Sequence, residues 1–152
     1  MKEALKEEQK SLKKYDRVWV VFDKDDFKDF NKAITFAQKH KIQCVWSNES
    51  FELWYCLYFN YLNTGITRAQ YITKIEESIQ KATLKAKFKY KKNDPSFYPL
   101  LQKYGNEKKA IVYAEKLQKL YEGKNYAKHN PCTFVSDLVK ELKNPESLND
   151  IL

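Results

Sequence analysis

Glycine and proline are scarce, with three and four residues in a chain of 152. So few chain punctuators leave most of the sequence to regular elements. There is no Walker A glycine–lysine loop and no glycine-rich dinucleotide turn, which excludes a P-loop ATPase and a Rossmann dehydrogenase. Two histidines are a poor basis for a histidine metal cage or a Ser–His–Asp site. The three cysteines, Cys44, Cys56 and Cys132, are odd in number and widely scattered. They fit neither a disulfide framework nor a zinc site and suit a reducing cytoplasm. No apolar run is long enough to cross a membrane. Residues 1–16 are rich in Lys and Glu where a signal peptide would be apolar. The expectation is one domain over residues 1–152, cytoplasmic, with no membrane contact.

What the chain does contain is apolar and cationic. The apolar share is 43% and the aromatic share 15%, enough to build a core at this length. The net charge of +8 and pI near 9.2 favour an anionic partner, most simply DNA or RNA.

Residues 2–14 read as a peripheral charged helix, anchored only by Leu5 and Leu12. Arg17–Phe22 is a continuous β-branched and aromatic run, the pattern of a strand buried on both faces. Phe27, Phe30, Ile34 and Ala37 then recur at helical spacing up to His40. Ile42–Trp46 is a second short strand. These pieces predict a β-α-β unit with parallel strands. Ser47 and Asn48 look like a helix start, and the helix from Glu49 to about Leu62 is apolar on nearly every side, so it must be central or covered by a partner. Thr67–Gln70 fits a capping box for a helix bearing Ile72, Ile75 and Ile79. Asn106 can cap another, with Ile111, Ala114, Leu117 and Tyr121. Asn130-Pro131 suits the start of a last helix with Phe134, Val135, Leu138, Val139 and Leu142 on its buried face. Residues 145–152 read as a tail. The fold class is α/β and α-rich, a small parallel sheet followed by several C-terminal helices.

Asp23 and Asp25 are two apart at the end of the first strand, so both carboxylates leave on one side, at the edge where open α/β sheets hold ligands. Two hard oxygen ligands suit Mg²⁺ or Mn²⁺, which can stabilise charge in phosphodiester cleavage; Asp26 is a third candidate ligand. On spacing alone, capping of the following helix by Asp25 or Asp26 is the leading reading. Glu52 is a carboxylate in an apolar helix, costly unless it has a partner or a task. It is a candidate base or metal assistant, one turn from Asn48 on the same expected face; the alternative is a capping pair with a rim glutamate. Lys81–Lys92 carries cations interleaved with Phe88 and Tyr90. Lys85, Lys87, Lys89, Lys91 and Lys92 are candidate phosphate contacts, with the rings stacking on bases; a solvated lysine-rich segment is the competing picture. His129 can reach phosphate or be incidental.

Four blocks in order, Y-D-R-V-W-V-V-F-D-K-D-D-F (Tyr15–Phe27), W-S-N-E-S-F-E-L-W-Y-C-L-Y-F (Trp46–Phe59), Y-K-K (Tyr90–Lys92) and N-P-C-T-F-V-S-D-L-V-K-E-L (Asn130–Leu142), resemble the RloB family, to which the abortive-infection protein AbiLii belongs. The resemblance implies a Toprim-like fold, a role in bacterial defence against phage, and an ABC-type ATPase encoded nearby as partner. It maps the D-x-D pair of Toprim metal sites onto Asp23 and Asp25. Catalysis would then fall to Asp23, Asp25 and Glu52, and support of the site to Ser47, Asn48 and Asn130. The family's opening block, a strand followed by the glutamate that serves Toprim enzymes as general acid/base, has no counterpart before Tyr15. The expectation is a Mg²⁺-dependent Toprim-like nuclease acting on nucleic acid, or a truncated or inactive remnant of one, whose sheet has one unpaired edge, open to a homodimer partner or covered by the N-terminal helix. The alternative is a non-enzymatic subunit that docks the ATPase through the apolar Phe51–Phe59 helix.

Overall fold

The computed structural model describes residues 2–10, 15, 17–84 and 87–145. Helix α1 spans Lys2–Lys10; the rest of the expected 2–14 helix, Lys85, and the tail from 146 onward lie outside the described residues.

The β-α-β unit is present. Strand β1 (Trp19–Asp23) pairs in parallel with β2 (Gln43–Ser47), with Asp23 opposite Ser47. Alternation along β1 separates two faces. Trp19 packs against the larger core, and Phe22 packs against a smaller one beneath helix α2 (Phe30–Lys39). Phe22 meets Phe30 edge-on, with ring centroids 5.6 Å apart, and Phe30 meets Trp46 of β2 at 5.3 Å. Val21 breaks the expectation of burial on both faces, being 50% exposed on the strand at the sheet edge, where it lines an open cavity. Among the described residues the sheet has only these two strands, so β1 has the unpaired edge expected of it. The far edge of β2 is covered where Ser47 bridges Thr133.

Helix α2 starts three residues later than expected. The Phe27 N–H bonds the Lys24 carbonyl at 2.8 Å and Asp25 adopts φ 39°, so residues 24–27 form a turn. The helix buries Phe30, Ile34 and Ala37. Neither Asp25 nor Asp26 caps it: the cap position is Asp29, without a side-chain bond.

The other face of the sheet carries α3 (Glu52–Leu57), α4 (Arg68–Thr83), α5 (Phe97–Tyr104) and α6 (Glu107–Gln118), with α7 (Val135–Lys143) beside β2 and α6. Helix α3 is shorter than the expected 49–62. Residues 48–51 make a turn with Glu49 at φ 64°, and beyond the helix the Tyr58 carbonyl accepts from the Asn106 N–H at 2.9 Å. Leu53, Trp54, Cys56, Leu57 and Tyr58 are buried, against α4 and α6 of the same chain. The apolar helix is therefore central, and its buried face is not available to a partner. Thr67 forms the full capping box with Gln70, and Asn106 caps α6 through the Lys109 N–H.

Helix α7 begins at Val135, not at Asn130-Pro131. That bond is cis, and it is Thr133 Oγ1 that accepts from the Val135 N–H, at 3.3 Å. The buried face is also displaced from expectation. Leu142 is 72% exposed, while Glu141 is buried and ion-paired to Arg17 just before β1. Asn130 packs against Gly65 of the α3–α4 loop. A Cβ there would lie 2.7 Å from Asn130 Cγ, so a larger residue at 65 would displace the Asn130 side chain.

Candidate functional site

Four elements converge at the carboxyl end of β1. The strand delivers Asp23, the following turn Asp25, the first turn of α3 Glu52, and the first turn of α4 Arg68. One Arg68 nitrogen, Nη2, lies 3.6 Å from Asp23 Oδ2 and 3.4 Å from Asp25 Oδ2. Its Nε lies 4.0 Å from Glu52 Oε2. A cation at a helix N-terminus is disfavoured by the peptide dipoles; here three carboxylates outweigh them. Glu49 fixes where α4 starts, because its Oε1 accepts from the Arg68 backbone N–H at 3.1 Å. The S-N-E-S-F-E segment thus supplies both the acid that anchors α4 and, at Glu52, an acid that faces its arginine.

Glu52 is only 2% exposed. Its Oε1 accepts from the Tyr90 hydroxyl at 3.2 Å, and its Oε2 is buried with no hydrogen-bond partner. Burial pushes the Asp23 carboxyl above its ordinary range; the Glu52 charge adds to this, while the Phe51 N–H, Arg68 and Lys92 oppose it. Burial, then the Glu52 charge, likewise raises the Tyr90 hydroxyl. Three carboxylates face one guanidinium, so the cluster remains net negative.

Carboxylate oxygens are the donor type that a hard divalent ion takes. Asp23 and Asp25 already converge on one point, two carboxylates suffice for Mg²⁺ with water and phosphate completing the shell, and Glu52 Oε2 is an orphaned acceptor. The spacing is that of a guanidinium, however. Among the described residues no three His, Cys, Asp or Glu side chains are grouped closely enough to hold a metal. Asp26 stays exposed on the turn and, among the described residues, makes no ion pair with Arg68.

Beside the cluster opens a cavity of about 370 Å³ whose lining includes Asp23, Glu52, Lys91, Lys92, Asp94 and Tyr98. The lysine-rich stretch therefore divides. Lys91 and Lys92 face the cavity. Lys89 is 2.9 Å from Glu76, Lys87 is exposed, and Lys85 is outside the described residues. Phe88 stacks on Phe97 with centroids 6.3 Å apart and belongs to the main core. The Tyr90 ring also packs on Phe97, at 4.9 Å, while lining the cavity.

Ser47, Asn48 and His129 act behind the site. Ser47 Oγ bonds Thr133 Oγ1 at 2.8 Å in a buried contact. Asn48 is not helical and does not share a face with Glu52; its Nδ2 donates to the carbonyls of Tyr126, Ala127 and His129 at 3.3, 3.1 and 2.9 Å. His129 is buried and stacked on Tyr121, with centroids 5.0 Å apart. The three cysteine thiols are free and burial pushes each up to about 12, which removes them as nucleophiles. Asn48→Ala leaves buried carbonyls unpaired and should cost about 1–3 kcal/mol, read as a lower urea midpoint with unchanged slope; an unchanged midpoint would mean that water replaces the amide.

Arg68 and Tyr98 were not singled out from sequence. The capping box did put Arg68 at the first helical position, and a cation there signals anionic neighbours. No sequence pattern marks Tyr98. No curated protein and no solved structure matches the chain. The family model described as RloB-like protein matches residues 1–142, and the chain belongs to the RloB-like family.

Proposed function

We propose that the protein is a phage-defence component that carries a Toprim-like, Mg²⁺- or Mn²⁺-dependent phosphodiester-cleaving site acting on DNA or RNA. Family membership supports a defence-related role. The single observation that carries the chemistry is the convergence of Asp23 and Asp25 on one cation, with the orphaned, buried Glu52 Oε2 beside it. Asp23 and Asp25 would hold the ion, which when bound supplies charge stabilisation at the phosphate. Glu52, held by Tyr90 and close to Arg68, would orient water or take a proton. Lys91 and Lys92 would neutralise backbone phosphate at the cavity mouth. The test is incubation with labelled single- and double-stranded DNA and RNA, in Mg²⁺ or Mn²⁺ and in EDTA. Cleavage with metal and none in EDTA is expected; intact substrates under all conditions would sink the enzymatic reading. Docking of an ABC-type ATPase then has to use a surface other than the buried face of α3, which packs on α4 and α6.

A further inference from the structure

We infer that the cavity beside Asp23 and Glu52 takes one unpaired nucleotide of a single strand, its base against the Tyr98 ring and its phosphate on Lys91 and Lys92. The inference rests on the nucleic-acid reading above and narrows the substrate class from nucleic acid in general to strand with unstacked bases.

Size comes first. A cavity of about 370 Å³ lies within the range of sites for small ligands, roughly 300–1,000 Å³, and holds a single nucleotide rather than a duplex. Its walls are the second observation. Tyr55 and Tyr90 are half-buried in them, whereas Tyr98, at 56% exposure, keeps a ring available at the rim. Aromatic faces bind any unpaired base, while a duplex hides its bases in the stack. The third is charge. Lys91 and Lys92 are exposed, and among the described residues no carboxylate ion-pairs with either, in contrast to Lys89 with Glu76. Finally, Glu52 lines the same cavity, and its Oε2 is buried without a hydrogen-bond partner. It is an acceptor for the N–H or O–H groups that bases and sugars carry and that phosphates lack. The lining sets apolar and aromatic side chains beside Lys91 and Lys92, together with the carboxylates of Asp23, Glu52 and Asp94: rings for a base, two cations for its phosphate and acceptors for its polar edge.

The test is fluorescence anisotropy in EDTA, so that binding is read without cleavage, using a labelled single-stranded 12-mer and its blunt duplex. Wild type should bind the single strand more tightly. Tyr98→Ala should weaken single-strand binding about 5- to 150-fold with little effect on the duplex, and Tyr98→Phe should retain it. The melting temperature of both variants should match wild type, because the ring is exposed. Lys91→Gln with Lys92→Gln should weaken both ligands and lower the single-strand salt slope by about 0.7 for each phosphate no longer neutralised. Equal affinity for duplex and single strand, or a Tyr98→Ala variant that binds like wild type, would overturn the inference even if the protein cleaves nucleic acid. Single strands bound as expected but never cut with metal would instead remove the nuclease reading and leave the cavity's ligand standing.

Discussion

Asp23→Asn should abolish metal-dependent cleavage while making the metal-free protein more stable at neutral pH. Both effects come from the same carboxylate. Loss of an ion ligand removes charge stabilisation worth several kcal/mol in the transition state, a fall of about a hundredfold or more in rate. The stability effect follows from the raised Asp23 carboxyl, whose first cause is burial. Between the ordinary aspartate value and the raised one, the folded protein holds a proton that the unfolded chain has released. Stability is therefore lost as pH climbs through that window, and the loss persists at pH 7. Asparagine keeps an acceptor for the Phe51 N–H and never ionises, so it escapes the loss. Its melting temperature should exceed that of wild type at pH 7, with the gap closing below the ordinary aspartate range. Adding Mg²⁺ should raise the melting temperature of wild type by mass action and leave that of the variant unmoved. A variant that still responds to Mg²⁺ would show that Asp23 is not a ligand.

How much of this was legible from sequence depends on how local the cause is. The β-α-β unit followed from apolar runs and spacing, and the Thr67 and Asn106 caps followed from residues within one turn of each other. The D-x-D pair does meet at one cation, but Asp25 reaches it from a turn at φ 39° and not by strand alternation. Failures arose where a distant segment decides. Asn48 reads as a helix cap until the carbonyls of Tyr126, Ala127 and His129, about 80 residues later, claim its amide. Whether Phe88 and Tyr90 stack on bases or join the core stays open in the sequence; Phe97 packs on both, and Tyr90 also lines the cavity. Leu142 fits the apolar periodicity of its helix, yet Glu141 takes the inward position because Arg17 is there to receive it. Val21 fits a fully buried strand and is exposed, because no neighbouring strand among the described residues lies beyond β1.

Arg68→Gln should tighten divalent-metal binding by about a hundredfold and lower metal-free stability at the same time. The guanidinium occupies the space between the three acids, 3.4 to 3.6 Å from the two aspartates. An incoming ion must displace it or bind beside a like charge. One pair of unit charges 4 Å apart interacts by about 4 kcal/mol at an effective dielectric of 20. A hundredfold gain, about 2.7 kcal/mol, is thus a conservative share of the repulsion relieved by a neutral side chain. Without metal, the same substitution leaves Asp23, Asp25 and Glu52 facing one another with no cation between them. The cost should be about 1–3 kcal/mol, less than for a fully buried pair because Arg68 is 36% exposed. Melting curves across a Mn²⁺ titration separate the two effects: the variant should start lower and rise further, at lower metal concentration, than wild type. Arg68→Lys keeps the charge and should bind metal as weakly as wild type. If Arg68→Gln starts lower but its Mn²⁺ midpoint is unchanged, the arginine braces the acids without competing for their ion. If neither protein responds to Mn²⁺, Arg68 is the permanent cation of a structural cluster, and the acids serve the fold rather than a metal.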